Sequence, residues 1–166
     1  GEMHGFQLWA NLPSNQKMTA PRYQDIKSKE IKSLFDDDGT IIKVIAGNYR
    51  GYNGPVDGIA AEPEYLDIYI PPLKFKKFPF DTRRQGFAYI FEGEGNFHNA
   101  SKPVGVKVEK EFQGQEIELR DLSGNRTLVV FDSGDEVAVQ AGENGVRFLL
   151  ISGTPIKEPV AWHGPI

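Results

Sequence analysis

The chain contains no cysteine in its 166 residues. That excludes disulfides, thiolate nucleophiles and every zinc site built on cysteine. It fits a reducing compartment, the cytoplasm, or the nucleus if the source is a eukaryote. Histidine is nearly as scarce: His4, His98 and His163 are the whole supply. No two of them share a spacing such as H-x-H that would bring two ring nitrogens to one metal. No apolar run is long enough to span a bilayer, and the N-terminus lacks a signal-peptide pattern, so no membrane is expected. Excess positive charge is lacking too. A formal net charge of −4 argues against a nucleic-acid-binding surface over the whole molecule. There is no internal repeat, no low-complexity tract, no nucleophile elbow and no carboxylate pair standing out as an acid/base couple.

What is present is glycine, proline and short alternating runs. Gly 18 and Pro 11 with such runs favour an all-β domain. The chain is long enough to bury a core without disulfides or structural metal. Phe6, Leu8, Ala10 and Leu12 alternate with Gln7, Trp9 and Asn11, which predicts a strand ended by Pro13-Ser14-Asn15. Further strands are expected at Ile41–Ala46, Tyr65–Ile70, Gly105–Glu109, Gln115–Leu119, Thr127–Phe131, Val137–Gln140 and Val146–Ile151. Their near-regular spacing indicates a sandwich or barrel, from about Ile41 to Ile151. Gln24–Leu34 reads as the one candidate short helix, and Gly47–Gly58 as a plain glycine-rich connection.

The organising stretch is Phe78–Gly95, FPFDTRRQGFAYIFEGEG. Phe87, Tyr89 and Phe91 alternate with Ala88 and Ile90, and the strand is expected to stop at Glu92-Gly93-Glu94-Gly95. A strand closed in this way resembles the end of the metal-binding hairpin of a cupin, and Phe78–Gly95 is expected to be an inner hairpin. Ser133-Gly134-Asp135-Glu136-Val137 resembles the "GD" turn of the second cupin motif. In a working cupin, histidines and a carboxylate sit just upstream of the first turn. Here the matching positions are Pro79, Asp81 and Gln85, so no metal site is expected in this chain. The default filling of such a barrel is its own side chains, for which Phe87, Tyr89, Phe91, Phe131 and Phe148 are candidates.

The other constellations weigh toward ordinary roles. Asp36-Asp37-Asp38-Gly39 has the start of a calcium loop but no bidentate carboxylate at its far end, so a solvated turn is expected. Lys74, Lys76 and Lys77 interleave with Phe75 and Phe78. That pattern occurs on nucleic-acid platforms, but on an acidic chain it reads as an edge strand guarded by charge. His98 with Glu92 and Glu94 is the best local ligand cluster, and its turn is expected to face water. Asp81 alone is one carboxylate and not a site. Arg83-Arg84 offers forked donors to a small anion, against a simpler reading as surface ion pairs.

At both ends the chain resembles the pirins, two-domain members of the cupin superfamily. His4-Gly5-Phe6-Gln7-Leu8-Trp9-Ala10-Asn11-Leu12, then Lys17-Met18 and Pro21-Arg22-Tyr23-Gln24, carry the resemblance at one end. Gly153-Thr154-Pro155-Ile156-Lys157-Glu158-Pro159-Val160 and His163-Gly164-Pro165 carry it at the other. The resemblance implies a fragment: residues 1–30 as terminal strand and linker of a first cupin, and residues 31–166 as the C-terminal cupin (double-stranded β-helix or jelly-roll) barrel. It implies no cofactor in this chain, and iron held by three histidines and a glutamate in the N-terminal cupin. It also implies a parent that is either a quercetin 2,3-dioxygenase or a regulator, acting as transcription co-regulator or enzyme modulator. A strand parted from its sheet would pair with the same strand of another copy or pack on the barrel, and Phe6, Leu8, Ala10 and Leu12 are the candidates for self-association.

Overall fold

A computed structural model describes residues 5–98 and 122–160. Ten strands run through them: β1 (Lys32–Phe35), β2 (Ile41–Ala46), β3 (Asn48–Tyr49), β4 (Tyr52–Asn53), β5 (Glu64–Ile70), β6 (Phe75–Pro79), β7 (Gln85–His98), β8 (Ser123–Gly124), β9 (Thr127–Val130) and β10 (Glu136–Gly153). The main sheet has the order β1-β2-β5-β10-β7-β8, with β6 also on β10 and β9 also on β7. No α-helix occurs among the described residues. The expected strands at Gly105–Glu109 and Gln115–Leu119 lie outside the described residues, as do His4 and His163.

Period-two patterning sets the inner faces. In β2, Ile42, Val44 and Ala46 are buried, while Ile41, Lys43 and Ile45 are less so. In β5, Leu66, Ile68 and Ile70 do the same. The antiparallel register places Ile42 opposite Ile68 and Val44 opposite Leu66, so both inner rows meet on one face. Strand β10 is the spine. Its first part lies beside β6 (Val137↔Phe78) and its later part beside β5 (Phe148↔Ile68). Strand β7 accompanies it along the other side, with a break in register between Ala141 and Val146. A strand of 18 residues cannot remain flat through a twisted sheet, and the break in register lets it bend.

The interior is a chain of phenylalanine rings. Phe78 meets Phe148 at 6.1 Å between centroids, Phe148 meets Phe97 at 5.2 Å, Phe97 meets Phe131 at 6.2 Å, and Phe131 meets Phe80 at 6.1 Å. Most of these contacts are edge-to-face, the arrangement that the ring quadrupole favours. Ile42, Val44, Leu66, Ile68 and Ile90 close around them.

Several expectations need correction. Phe78–Gly95 is not a hairpin: β6 and β7 each pair with β10 and not with one another. The N–H of Phe80 bonds to the Asp135 carbonyl at 2.8 Å, which carries the chain away from β7 across the turn. Nor does β7 stop at Glu92–Gly95. It runs on to His98, with Gly93 at φ 69° giving the bend. Of the aromatics assigned to the interior, Phe148 is there, and Phe131 is partly buried against the core. Phe87, Tyr89 and Phe91 lie on the opposite face, because Ala88 and Ile90 take the inward positions. Val137–Gln140 and Val146–Ile151 are parts of one strand, since the ladder to β7 resumes beyond the break.

Gln24–Leu34 forms a single 3-10 turn at Ser28–Glu30. The Glu30 side chain accepts the Lys27 N–H at 2.7 Å, and the chain then extends into β1, where Leu34 pairs with Ile42. Gly47–Gly58 holds a small hairpin, β3–β4, closed by Arg50 (φ 50°) and Gly51 (φ 79°). Phe6–Leu12 carries no strand, because no neighbouring strand among the described residues offers it a ladder.

Candidate functional site

The cupin ligand positions were the first candidates. Pro79 is exposed at the end of β6, Asp81 lies in the turn after it, and Gln85 is exposed at the start of β7. The inward neighbours are Phe78 and Phe80. Pro79 brings no side-chain donor. Both Asp81 oxygens are taken by Arg83, at 3.0 Å from Nε and 2.7 Å from Nη2. Those bonds, with the Arg83 backbone N–H, hold the Asp81 carboxyl well below the usual carboxylate range. This donor set does not fit a transition metal. No group of three His, Cys, Asp or Glu side chains suited to a metal gathers among the described residues. Arg84 donates to the Glu62 carbonyl, so each of the paired arginines has a protein partner.

His98, Glu92 and Glu94 do not converge. They are spread along β7, with His98 edge-on to Phe75 at 6.0 Å and Glu92 reaching Arg147 at 4.0 Å. The acidic run is not simply solvated. Asp36 accepts from Arg50 at 2.6 Å and from Lys76 at 2.8 Å, and Lys76 also reaches Asp38 at 3.0 Å. The bonds from Arg50 and then Lys76 lower the Asp36 pKa against an opposing push from burial. A shallow depression of about 370 Å³ lies among these side chains, and two of its three carboxylates, Asp36 and Asp38, are already paired with Arg50 and Lys76. This network also gives Lys76 a structural task, while Lys77 pairs with Glu136 at 2.7 Å on the edge strand β6. Lys76 and Lys77 therefore sit in ion pairs and not on an aromatic platform.

The outer face of the sheet holds what the sequence reading missed. Asp67 on β5 and Arg147 on β10 form a forked pair at 2.9 and 2.7 Å, and the Arg147 guanidinium lies 5.0 Å from the centre of the Phe91 ring. Phe6 packs on this face, 4.9 Å from Phe91 and 5.7 Å from Tyr89. The available signal was one charge of opposite sign inside each of two apolar strands, at Asp67 in YLDIYI and Arg147 in VRFLLI. Both have outward parity. Beyond Phe6, the chain is tied down. Glu158 accepts from the Ser14 N–H at 2.9 Å and from its hydroxyl at 3.2 Å. Gln24 donates to Asp57 at 2.9 Å, and the Arg22 guanidinium seats against the Asp57 carbonyl and Gly58.

Residues 65–166 match the family model described as the pirin C-terminal cupin domain. The chain belongs to the pirin family. A pirin-like protein of Caulobacter vibrioides is 36% identical over 166 residues, covering 99% of this chain and 52% of that protein. A candidate quercetin 2,3-dioxygenase of Pseudomonas aeruginosa is 27% identical, covering 99% and 53%. The crystal structure of a quercetin 2,3-dioxygenase from Acinetobacter baumannii superposes with a TM-score of 0.75 at 23% identity, over 95% of this chain and 48% of that one. That likeness shows the cupin fold. The chain spans about half the length of the curated relatives it matches. No helix among the described residues is long and apolar enough to cross a membrane.

Proposed function

We propose that this chain is the metal-free C-terminal cupin half of a pirin-like protein, with its chemistry held elsewhere in a longer parent. Residues 1–30 are then the segment and linker leading out of a first cupin, and residues 31–166 are the second cupin domain. The observation that carries this reading is the phenylalanine chain from Phe78 through Phe148, Phe97 and Phe131 to Phe80. Those rings pack against one another and against the buried aliphatic core, and among the described residues no group of three His, Cys, Asp or Glu side chains gathers that could hold a metal. Oxygen chemistry on a flavonol needs a metal with an open position. Iron belongs, on this reading, in the N-terminal cupin of the parent. Quercetin 2,3-dioxygenase is its candidate activity, supported by the names of the Pseudomonas and Acinetobacter proteins. The absence of cysteine supports a reducing, cytoplasmic setting.

The test is direct. The purified chain, supplied with ferrous iron and quercetin in air, should leave the quercetin absorbance band unchanged and retain no stoichiometric iron after desalting. Metal-dependent loss of the band with this chain alone would refute the proposal. A second reading, a docking module of a pirin-like regulator, is favoured by the partly exposed aromatic face that receives Phe6.

A further inference from the structure

We propose that Asn144 is a site of spontaneous covalent modification, while the chain's other Asn-Gly pair, Asn53–Gly54, is protected by the fold. The sequence holds these two pairs and no third. Asparagine is among the thermolabile residues, and a glycine after it leaves the next backbone nitrogen unshielded by a Cβ. The reaction needs only water. The Gly145 amide nitrogen, losing its proton, attacks the Asn144 side-chain carbonyl carbon. A C–N bond forms, the bond to the side-chain nitrogen breaks, and ammonia leaves with the proton. Water then opens the cyclic imide at either carbonyl. One opening gives aspartate. The other gives isoaspartate, whose backbone runs through the side-chain methylene.

Exposure does not separate the two pairs, since Asn53 and Asn144 both face solvent. Their bonding within the chain does. Asn53 lies in β4, and its side-chain oxygen accepts from the Asn48 amide at 2.7 Å. The attacking group beside it is occupied, because the Gly54 N–H donates to the Gly47 carbonyl at 2.8 Å. Gly54 also presses on β2. A Cβ built on it would lie 2.5 Å from the Ile45 carbonyl oxygen and 2.6 Å from the Ala46 nitrogen. Just beyond, the Val56 N–H is bonded to the Ile45 carbonyl at 3.2 Å. Closing the imide ring here means turning the Gly54 nitrogen off Gly47 and pulling Asn53 from Asn48, away from a reactive geometry the fold does not offer.

Asn144 lies in the break of β10. The ladder to β7 pairs Ala141 with Gly95 and resumes with Val146 opposite Gly93, and the ladder to β5 begins at Val146. Residues 142–145 have no cross-strand partner in either register. Among the described residues the Asn144 side chain makes no hydrogen bond. The glycine after it is fixed by the bend: Gly145 takes φ 77°, and a Cβ there would lie 2.9 Å from the Ile70 carbonyl oxygen. The fold therefore demands the one following residue that leaves Asn144 open to attack.

The product alters the bend itself. A new carboxylate joins Glu143, with Glu94 lying against Gly142, and isoaspartate lengthens the backbone by one carbon beside the Gly145–Gly93 contact.

The experiment is ageing of the purified full chain in mildly alkaline buffer at body temperature, with tryptic peptide mass mapping against a zero-time digest. Cleavage after Arg50 and Lys74 isolates Asn53, and cleavage after Arg126 and Arg147 isolates Asn144, each the only asparagine of its peptide. The Asn144 peptide should gain the mass of exchanging an amide for an acid and elute as two products of equal mass. It should convert at least about tenfold faster than the Asn53 peptide, whose two hydrogen bonds must first break. In guanidinium chloride the two rates should converge. Asn144→Gln should remove the more acidic species that ageing produces on ion exchange, with an unchanged circular dichroism spectrum. Equal rates in the folded chain, or a faster Asn53, would overturn the proposal. So would a gap that persists in denaturant, which would place the difference in the local sequence and not in the fold, or an Asn144 that converts only in denaturant.

Discussion

Gly93 and Gly145 meet backbone to backbone where the two longest strands bend together. A Cβ built on Gly93 would collide with the Gly145 carbonyl oxygen, and both residues have positive φ, 69° and 77°. Strand β7 thus needs glycine at position 93 for its conformation and again for its neighbour. Gly93→Ala should cost at least about 3 kcal/mol, since the backbone strain and the collision act at one site. Gly124→Ala, with open space around the added methyl, serves as the control and should change stability by under about 0.5 kcal/mol. Urea denaturation of the two variants decides it. Equal midpoints would mean the bend can relax.

That contact also explains why part of the fold was legible in sequence and part was not. Strands β2 and β5 were read correctly because each has one dry and one wetter face, and period-two alternation is the direct record of that asymmetry. Strand β7 has apolar residues on both faces. Its inner row packs in the core and its outer row receives Phe6. Parity then carries no signal, and ring size was mistaken for burial. Glu92–Gly95 was read as a stop because glycine is common in turns. Here glycine marks a close approach between strands far apart in sequence, which local pattern does not record. The candidate ligand positions were legible as lacking histidine. The Asp36–Arg50–Lys76 network was not legible, because its members come from three separate elements.

The facing of β7 has a measurable consequence. Phe148 is fully buried and contacts both Phe78 and Phe97. Phe148→Ala should cost about 3–5 kcal/mol, combining lost transfer energy with an unfilled cavity. Phe87 is half-buried on the outer face, and Phe87→Ala should cost under about 2 kcal/mol. Thermal denaturation would show the order. A larger loss at Phe87 would mean the aromatic row is the true core.

The Asp36 network should give the chain an acid-sensitive element. Arg50 hydrogen bonding lowers the folded pKa of Asp36 below its ordinary 3.8, burial opposes this, and Lys76 adds to the lowering. Asp38 is likewise lowered, because bonds from Thr40 and Lys76 outweigh its burial. A carboxylate with a depressed folded pKa stabilises the fold above its unfolded pKa, and that stability is lost as pH falls through the folded value. Asp36→Asn should therefore cost about 1–2 kcal/mol at neutral pH, a range between exposed and buried ion pairs. The gap should narrow as pH drops below the unfolded value. A gap that stays constant down to strong acid would assign the loss to packing and not to charge.

Glu64 should behave with the opposite sign. It is partly buried in β5, opposite Ser152, and burial raises its pKa above 4.5 despite the nearby Arg84 charge. A carboxyl with a raised folded pKa favours the folded state while protonated, and that contribution is lost as pH rises through the folded value. At neutral pH the ionised Glu64 is thus a cost to the fold, which Glu64→Gln removes while keeping shape and hydrogen-bonding capacity. The variant should be more stable than the native chain above the folded pKa and equal to it below the unfolded one. Denaturation midpoints across the acid range test this against Asp36→Asn, whose deviation grows in the same direction of pH but with the other sign. If Glu64→Gln is destabilising at neutral pH, the carboxylate is serving Arg84 as a structural partner, and burial is not what governs its charge.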